Sequence, residues 1–244
     1  LKFINLSSAN SINFGRLLPQ SVYYFYAYSR IVKDESPIGF CVPSGNFGDL
    51  LGGILAKNMG LPVIRFIAAV NENDEFPQFL QTGTYKKIEP SKACLSSAMN
   101  VGHPSNLARL IDLYAGHLDE KGQLLKQPDM QKLRHDIWST TISDQKTRLI
   151  IQEAYKKSKT IFEPHGAVGW AALNEFLAEN PSNYPWCVLE TADPAKFPEL
   201  IIEILGIDPP LPQKMSEQLT KPETAENIKA DYKEFKSLLI KKYA

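Results

Sequence analysis

Short apolar runs separated by a glycine-containing loop mark the first third of the chain. Residues 38–42 (Ile-Gly-Phe-Cys-Val) and 63–68 (Val-Ile-Arg-Phe-Ile-Ala) have the pattern of buried strands, and residues 50–60 between them have a helical pattern closed by Gly60. A strand, a loop, a helix and a second strand form a βαβ unit with a right-handed crossover. With a third apolar strand at 186–190, the pattern predicts an α/β fold in which helices flank a mostly parallel sheet.

The remaining periodic segments predict helices. Residues 12–31 have the pattern of a buried helix, with Asn10 and Ser11 as caps and a kink at Pro19. Further helices are predicted at 106–118, 143–158, from 163 onward and at 198–205.

The chain is predicted to have three parts. Residues 1–32 form a helical segment, residues 33–206 an α/β domain with an irregular insertion at about 71–106, and residues 207–244 a helical, lysine-rich tail. Because the first residue is Leu1 and not methionine, we expect the chain to be a piece of a longer protein.

Composition excludes several classes of function. Lys and Arg total 27, as do Asp and Glu, so no overall charge attracts nucleic acid or an anionic membrane. No apolar run approaches the roughly 20 residues that span a bilayer, and no signal peptide is visible. The three cysteines and four histidines are scattered. This predicts reduced thiols in a cytoplasmic protein and no metal site.

The loop Ser44-Gly45-Asn46-Phe47-Gly48-Asp49 follows a predicted strand and precedes a helix. Its backbone N–H groups and the positive end of the helix converge there, as in phosphate sites. Asp49 is expected to cap the helix. The alternative is a tight turn without a ligand, because glycine-rich βα turns are common in this fold class. It is not a Walker loop, since no Gly-Lys-Ser/Thr follows.

A polar stripe lies on the first predicted helix. Asn13, Arg16 and Gln20 are spaced to share one face, near the N-terminal end that carries Asn10 and Ser11. An arginine beside a helix N-terminus is suited to bind a second phosphate. The alternative is a solvated stripe, which the apolar residues on the neighbouring turns make less favourable.

Three other residues remain open to two interpretations. Thr191 ends a predicted strand, where ligands bind in open α/β sheets, but a threonine there is often only a turn residue. Glu163 and His165 stand at a helix start, where such side chains are usually structural.

Four motifs in order resemble threonine synthase, most closely its long bacterial and fungal branch. The motifs are Ala9-Asn10-Ser11-Ile12-Asn13 with Arg16 and Gln20, then Pro43–Asp49, then Glu163-Pro164-His165-Gly166-Ala167, then Thr191-Ala192-Asp193-Pro194-Ala195-Lys196-Phe197. The resemblance implies the tryptophan-synthase-β fold (fold type II) and the cofactor pyridoxal 5'-phosphate (PLP). It also implies the conversion of O-phosphohomoserine and water to threonine and phosphate.

The same resemblance implies roles for particular residues. Ser44, Gly45, Asn46, Phe47 and Gly48 would hold the PLP phosphate. Thr191 would bond the pyridine nitrogen. Ser11 and Arg16, with Asn10, would contact the phosphate of the substrate. Asn13 and Gln20 are also expected to bind the substrate.

Two departures from the family pattern matter. The family usually has histidine at the position of Asp193. Its Schiff-base lysine lies upstream of the Asn10 motif, and no matching motif occurs here, so the resemblance places no catalytic residue in this chain. We expect this chain alone to be inactive and the full-length protein to be a monomer. The alternatives are a related PLP lyase or phospholyase, and a non-catalytic phosphate- or nucleotide-binding module.

Overall fold

The structure is a computed structural model that describes residues 7–243. It divides into two compact units, of which the larger is Asn10–Pro209. The remaining described residues, from both ends of the chain, belong to the smaller unit. The three-part division predicted from the sequence stays a prediction, and residues 1–6 of its first part lie outside the described residues.

The larger unit contains both helices and strands. Its strands are β1 (Ile38–Pro43), β2 (Val63–Val70), β3 (His117–Leu118), β4 (Leu124–Lys126), β5 (Ile137–Thr141) and β6 (Trp186–Val188). Its helices are α1 (Phe14–Leu17), α2 (Ser21–Ile31), α3 (Gly48–Asn58), α4 (Glu75–Thr82), α5 (Leu107–Leu113), α6 (Met130–Asp136), α7 (Asp144–Ser158), α8 (Pro164–Glu179) and α9 (Pro198–Leu205). The smaller unit contains α10 (Gln213–Leu219) and α11 (Tyr232–Tyr243).

A four-stranded parallel sheet in the order β5-β2-β1-β6 organises the larger unit. The chain winds outward from β1 through β2 to β5, and β6 then returns to the opposite side of β1. In open parallel sheets, ligands bind at the carboxyl ends of the strands where the winding direction reverses. Here that point lies between β1 and β6. The predicted α/β fold with a parallel sheet is confirmed.

Hydrophobic side chains cover both faces of the sheet because successive residues of a strand point to opposite sides. Phe40 of β1 packs in one core cluster with Tyr24 of α2, at 4.9 Å between ring centroids. Cys41, the next residue, lies in the other cluster with Val168 of α8 and Ile151 of α7. The sheet is therefore the middle of three layers, which explains why its central strands, β1 and β2, are apolar at every position except Arg65.

The first helical segment differs from the prediction in its cap. A 3₁₀ turn at Leu18–Gln20 separates α1 from α2 near the kink expected at Pro19. The helix begins at Phe14 and its cap is Asn13, whose side chain accepts from the Gly15 N–H at 2.9 Å. Asn10 and Ser11 are therefore not the caps. The reason is that Asn13, with its short acceptor side chain, directly precedes the first helical residue.

Several elements were not expected from the sequence. Helix α4 lies inside the segment predicted to be irregular, and α6, the β3–β4 hairpin and the edge strand β5 were missed. Strand β5 reads Ile-Trp-Ser-Thr-Thr. As the outer strand of the sheet it can be less apolar than β1 and β2, and Thr140 donates to the Glu175 carboxylate at 3.1 Å. A strand of this composition lacks the continuous apolar run that marks a buried strand.

Within residues 7–243, no helix is both long and apolar enough to cross a membrane.

Candidate active site

A cleft of about 820 Å³ lies at the reversal point, where β1 and β6 end. Its lining includes the loop 44–48 after β1 and Thr191 after β6, which sequence reasoning had predicted separately. Ser11, Arg16 and Gln20 line it as well. Most of the predicted binding residues thus meet in one place, although they come from distant parts of the chain.

Two predicted binding residues are not among those that line this cleft. Asn10 and Asn13 use their side-chain oxygens to accept from the backbone N–H groups of Ile12 and Gly15, at 3.0 and 2.9 Å. Both therefore shape the turn that leads into α1. A role for either in binding the substrate stays a prediction.

The loop after β1 lines the cleft and leads directly into α3. Phe47 has φ 60°, in the left-handed region, and its ring is buried against Phe76 at 4.8 Å between centroids. The left-handed conformation of Phe47 turns the backbone so that α3 begins at the next residue, Gly48. The first N–H groups of a helix have no acceptor within it, so the start of α3 can bind an anion. The Ser44 hydroxyl donates to the Val42 carbonyl at 2.9 Å, so it must rotate to donate to a ligand.

Gly45 is required by close packing. A Cβ at this position would lie 2.7 Å from Cα of Met99 and 2.8 Å from the carbonyl oxygen of Ala98. Residues 97–99 form a 3₁₀ turn that closes one side of the loop. The loop can therefore press against the turn only because residue 45 has no side chain.

Two asparagines tie this loop to the Ser11 segment. The Asn46 amide nitrogen donates to the Ser11 hydroxyl, and its oxygen accepts from the backbone N–H and the hydroxyl of Ser105, at 2.6 and 2.7 Å. Asn106, which is fully buried, donates to the carbonyl oxygens of Ser11 and Asn46, both at 3.1 Å. Sequence reasoning missed Ser105 and Asn106, because an asparagine before a helical pattern is indistinguishable from a cap.

Asp49 does not cap α3, contrary to the prediction. The Tyr24 hydroxyl donates to its carboxylate at 3.1 Å and to its carbonyl oxygen at 2.9 Å. Burial raises the pKa of Asp49 to about 6. The carboxylate is thus engaged with α2, and a neutral or tyrosine-bonded Asp49 repels a phosphate less than a free carboxylate would.

The opposite wall of the cleft is built from the start of α8. Glu163 is fully buried and accepts from the backbone N–H groups of His165 and Gly166, at 2.9 and 2.8 Å. It therefore caps α8, as a structural residue would. His165 lines the cleft, and its Nε2 accepts from the Ala98 N–H at 3.1 Å. Sequence reasoning had left both residues undecided.

Glu190 is a cleft residue that sequence reasoning overlooked. Its carboxylate accepts from the Glu163 N–H at 3.3 Å and lies against Gly166, where a Cβ would come within 1.8 Å of Oε2. Burial, and then the nearby Glu163 carboxylate, raise the pKa of Glu190 to about 8. The side chain lies next to Thr191, and its raised pKa brings its ionisation close to neutral pH. Asp193, the departure from the family pattern, accepts from the Ala195 N–H at 2.9 Å.

Comparison with known proteins agrees with this geometry. Residues 166–239 match the family model described as threonine synthase, C-terminal. The threonine synthase of Escherichia coli K12 is 37% identical over 97% of this chain. That of Saccharomyces cerevisiae is 35% identical over 83% of this chain. The chain is related to the threonine synthases. It spans about half the length of the curated relatives it matches, 51% of the E. coli protein and 45% of the yeast protein.

Solved threonine synthase structures share the fold. Yeast threonine synthase superposes with a TM-score of 0.86 at 30% identity, covering 98% of this chain and 54% of that one. A PLP-bound threonine synthase from Brucella melitensis gives 0.80 at 31%, covering 90% of this chain and 49% of that one. Maize serine racemase superposes with a TM-score of 0.51 at 20% identity, and the match covers 82% of this chain and 55% of the racemase chain. This likeness shows a shared fold alone.

Proposed function

We propose that this chain is part of a threonine synthase, which converts O-phospho-L-homoserine and water to L-threonine and phosphate with PLP as cofactor. The observation that carries the proposal is the single cleft that has loop 44–48 and Thr191 among its lining residues, together with Arg16. The proposal includes a cytoplasmic location and a monomeric complete protein. It also takes the lysine that holds the cofactor covalently from the part of threonine synthases that this chain does not span.

The cleft residues fit the chemical groups of PLP. Gly45 allows a close backbone approach, and the start of α3 offers N–H groups for the cofactor phosphate. Thr191 would donate its neutral hydroxyl to the ring nitrogen and would so leave that nitrogen without a proton. When bound, PLP supplies an electron sink for negative charge that develops on the substrate.

Other residues of this chain have roles with the substrate. Arg16 carries a charge suited to the phosphate that leaves the substrate. Glu190, whose pKa is raised to about 8, carries less negative charge near neutral pH than an ordinary glutamate in a cleft that takes two phosphates. Ser11 accepts hydrogen bonds from Asn46 and Asn106. It lines the same cleft as Arg16 and would contact the same phosphate.

Cofactor titration of this chain tests the binding half of the proposal. PLP should bind at the cleft and quench nearby aromatic fluorescence, and Thr191→Val should weaken binding and change the cofactor absorbance. Borohydride treatment should leave no cofactor covalently fixed in the cleft. Specific attachment at Lys196, a lysine that lines the cleft, would contradict the assignment of the lysine to another part of the protein.

An activity assay of the complete protein tests the chemical half. With O-phosphohomoserine, threonine and phosphate should appear together. A 2-oxo acid instead would favour the related PLP lyases. Nucleotide binding without PLP binding would favour a non-catalytic module.

A further inference from the structure

Asp49 places a carboxylate at the same helix start that would bind the cofactor phosphate. Gly48 is the first residue of α3 and Asp49 the second, and both line the cleft. The first N–H groups of a helix have no acceptor within it and favour a nearby negative charge. Asp49 supplies such a charge when it is ionised. A bound phosphate would bring a second anion to the same place, and two anions so close repel each other.

A buried hydrogen bond keeps the Asp49 carboxylate where it is. Tyr24 is fully buried, and its hydroxyl donates to Oδ1 of Asp49 at 3.1 Å and to the Asp49 carbonyl oxygen at 2.9 Å. The same hydroxyl thus contacts the backbone of α3 and the carboxylate beside it. Turning the carboxylate away would break its bond to a buried donor. A proton on Asp49 therefore relieves the repulsion from a bound anion more easily than a movement of the side chain does.

The Asp49 carboxyl can accept such a proton near neutral pH. Burial raises the pKa of Asp49 to about 6, and the hydrogen bond from Tyr24 lowers it in part. A nearby like charge disfavours the ionised form of a carboxyl and raises its pKa further. Asp49 is therefore mostly ionised at pH 7 without an anion and becomes protonated when a dianion lies at the start of α3.

Other ionisable groups face the same cleft, and a test has to separate them from Asp49. They are Arg16, Tyr23, His165, Glu190 and Lys196. The pKa of Glu190 is raised to about 8, first by burial and then by the Glu163 carboxylate, so this group also ionises near neutral pH. Glu190 follows β6, whereas Asp49 follows β1. A substitution of each residue in turn can therefore separate their contributions.

We propose that Asp49 is the proton-linked residue of the anion site and takes one proton from solvent whenever a dianion binds at the loop after β1. The inference rests on the proposed function, which assigns the cofactor phosphate to that loop. The proton converts the Asp49 carboxylate to a carboxylic acid, whose carbonyl oxygen still accepts from the Tyr24 hydroxyl. Because binding takes up a proton, the affinity for the anion falls as pH rises above about 6.

The experiment titrates sulfate into the complete protein after removal of its cofactor. Sulfate keeps both negative charges over the pH range used, so its own protonation does not contribute. The amide NMR signals of selectively labelled Gly45 and Gly48 report binding at the loop itself. The affinity should fall up to about tenfold per pH unit between about pH 6.5 and 7.5, the limit for one proton taken up on binding.

Three substitutions identify the source of the pH dependence. Asp49→Asn keeps an oxygen that accepts from Tyr24 but cannot ionise, so sulfate affinity should no longer change over this range. Tyr24→Phe removes the hydrogen bond that lowers the pKa of Asp49, so the fall in affinity should begin at a higher pH. Glu190→Gln is the matched control, and the fall should persist in it. Circular dichroism shows whether each variant keeps the parent fold.

Three outcomes would overturn the inference. They are a sulfate affinity that is the same at about pH 6.5 and 7.5, a fall that persists in Asp49→Asn, and the absence of sulfate binding at the loop at every pH. The proposed function has a separate readout, which is PLP binding to the same protein. Sulfate binding that depends on Asp49, without any binding of PLP, would contradict that function and leave the proton-linked anion site intact.

Discussion

The Glu163 carboxylate and the His165 ring form a buried pair at the start of α8, with 2.5 Å between Oε2 and Nδ1. Because Nε2 of His165 accepts from the Ala98 N–H, the proton of the neutral ring is on Nδ1 and is donated to Glu163. Ala98 in turn packs against Gly45 of the loop after β1. One buried carboxylate thus positions both walls of the cleft.

Glu163→Gln should destabilise the protein by about 2 kcal/mol, because a buried amide cannot accept from every donor that the carboxylate satisfies. The His165 proton would then face an N–H₂ group or lose its partner. Urea denaturation measures the effect. Glu179→Gln, at the exposed end of the same helix, should change the unfolding free energy little, and an equal loss in the two variants would contradict the buried pair.

Gly45→Ala should cost about 2 kcal/mol of stability, the usual cost of forcing atoms into a packed site. It should also weaken PLP binding, because the loop must move away from the turn at 97–99. Thermal unfolding without PLP measures the loss of stability, and the shift in melting temperature that PLP produces measures the weaker binding. Gly48→Ala is the control in the same loop, since its Cβ would find its nearest neighbour at 3.5 Å. Stability lost equally in both variants would show that close approach to Met99 is not the cause.

Glu75 should make stability depend on pH. Its side chain is 2% exposed, its Oε2 has no hydrogen-bond partner in the described part of the chain, and burial raises its pKa from 4.5 to about 7. The contribution of a group with a raised folded-state pKa is full below the unfolded pKa, here 4.5, and is lost as pH rises through about 7.

Glu75→Gln, which imitates the protonated form, should therefore stabilise the protein by about 2 kcal/mol above pH 8 and change little near pH 5. Chemical denaturation at both values of pH measures the difference. Glu120→Gln, at an exposed position, is the control. A benefit that is the same at both values of pH would rule out ionisation of Glu75 as its source.

Arg16→Ala should lower kcat/KM of the complete protein for O-phosphohomoserine about 10- to 150-fold, the cost of losing a hydrogen bond to a charged group. Steady-state kinetics with the phosphorylated substrate provide the measurement. Arg148→Ala removes an exposed arginine that pairs with Glu203 at 2.9 Å on another side of the sheet, and should leave kinetics intact. An unchanged specificity constant in Arg16→Ala would remove Arg16 from the site.

Sequence alone predicted the parts of the site that depend on local order. The apolar run of β1, the glycine loop and the start of α3 are consecutive, so their geometry follows from short-range rules. The same holds for α8, where Glu163 and Pro164 both favour a helix start.

The parts that sequence reasoning missed depend on contacts between distant segments. Asn106 differs from an ordinary cap only because the fold brings it to Ser11 and Asn46. Glu190 differs from an ordinary surface glutamate because its carboxylate lies against Gly166 and accepts from the Glu163 N–H. Strand β5 has a polar composition that only its place at the edge of the sheet explains.

The order of strands in the sheet has a consequence for synthesis of the chain. β1 precedes both of its neighbours in the sheet, and one of them, β6, is the last strand of the sheet to leave the ribosome. Until β6 arrives, an apolar strand with an open edge can pair with another chain. We expect nascent or truncated forms that end before residue 186 to aggregate, and ligand affinity to develop only when the final strand has docked.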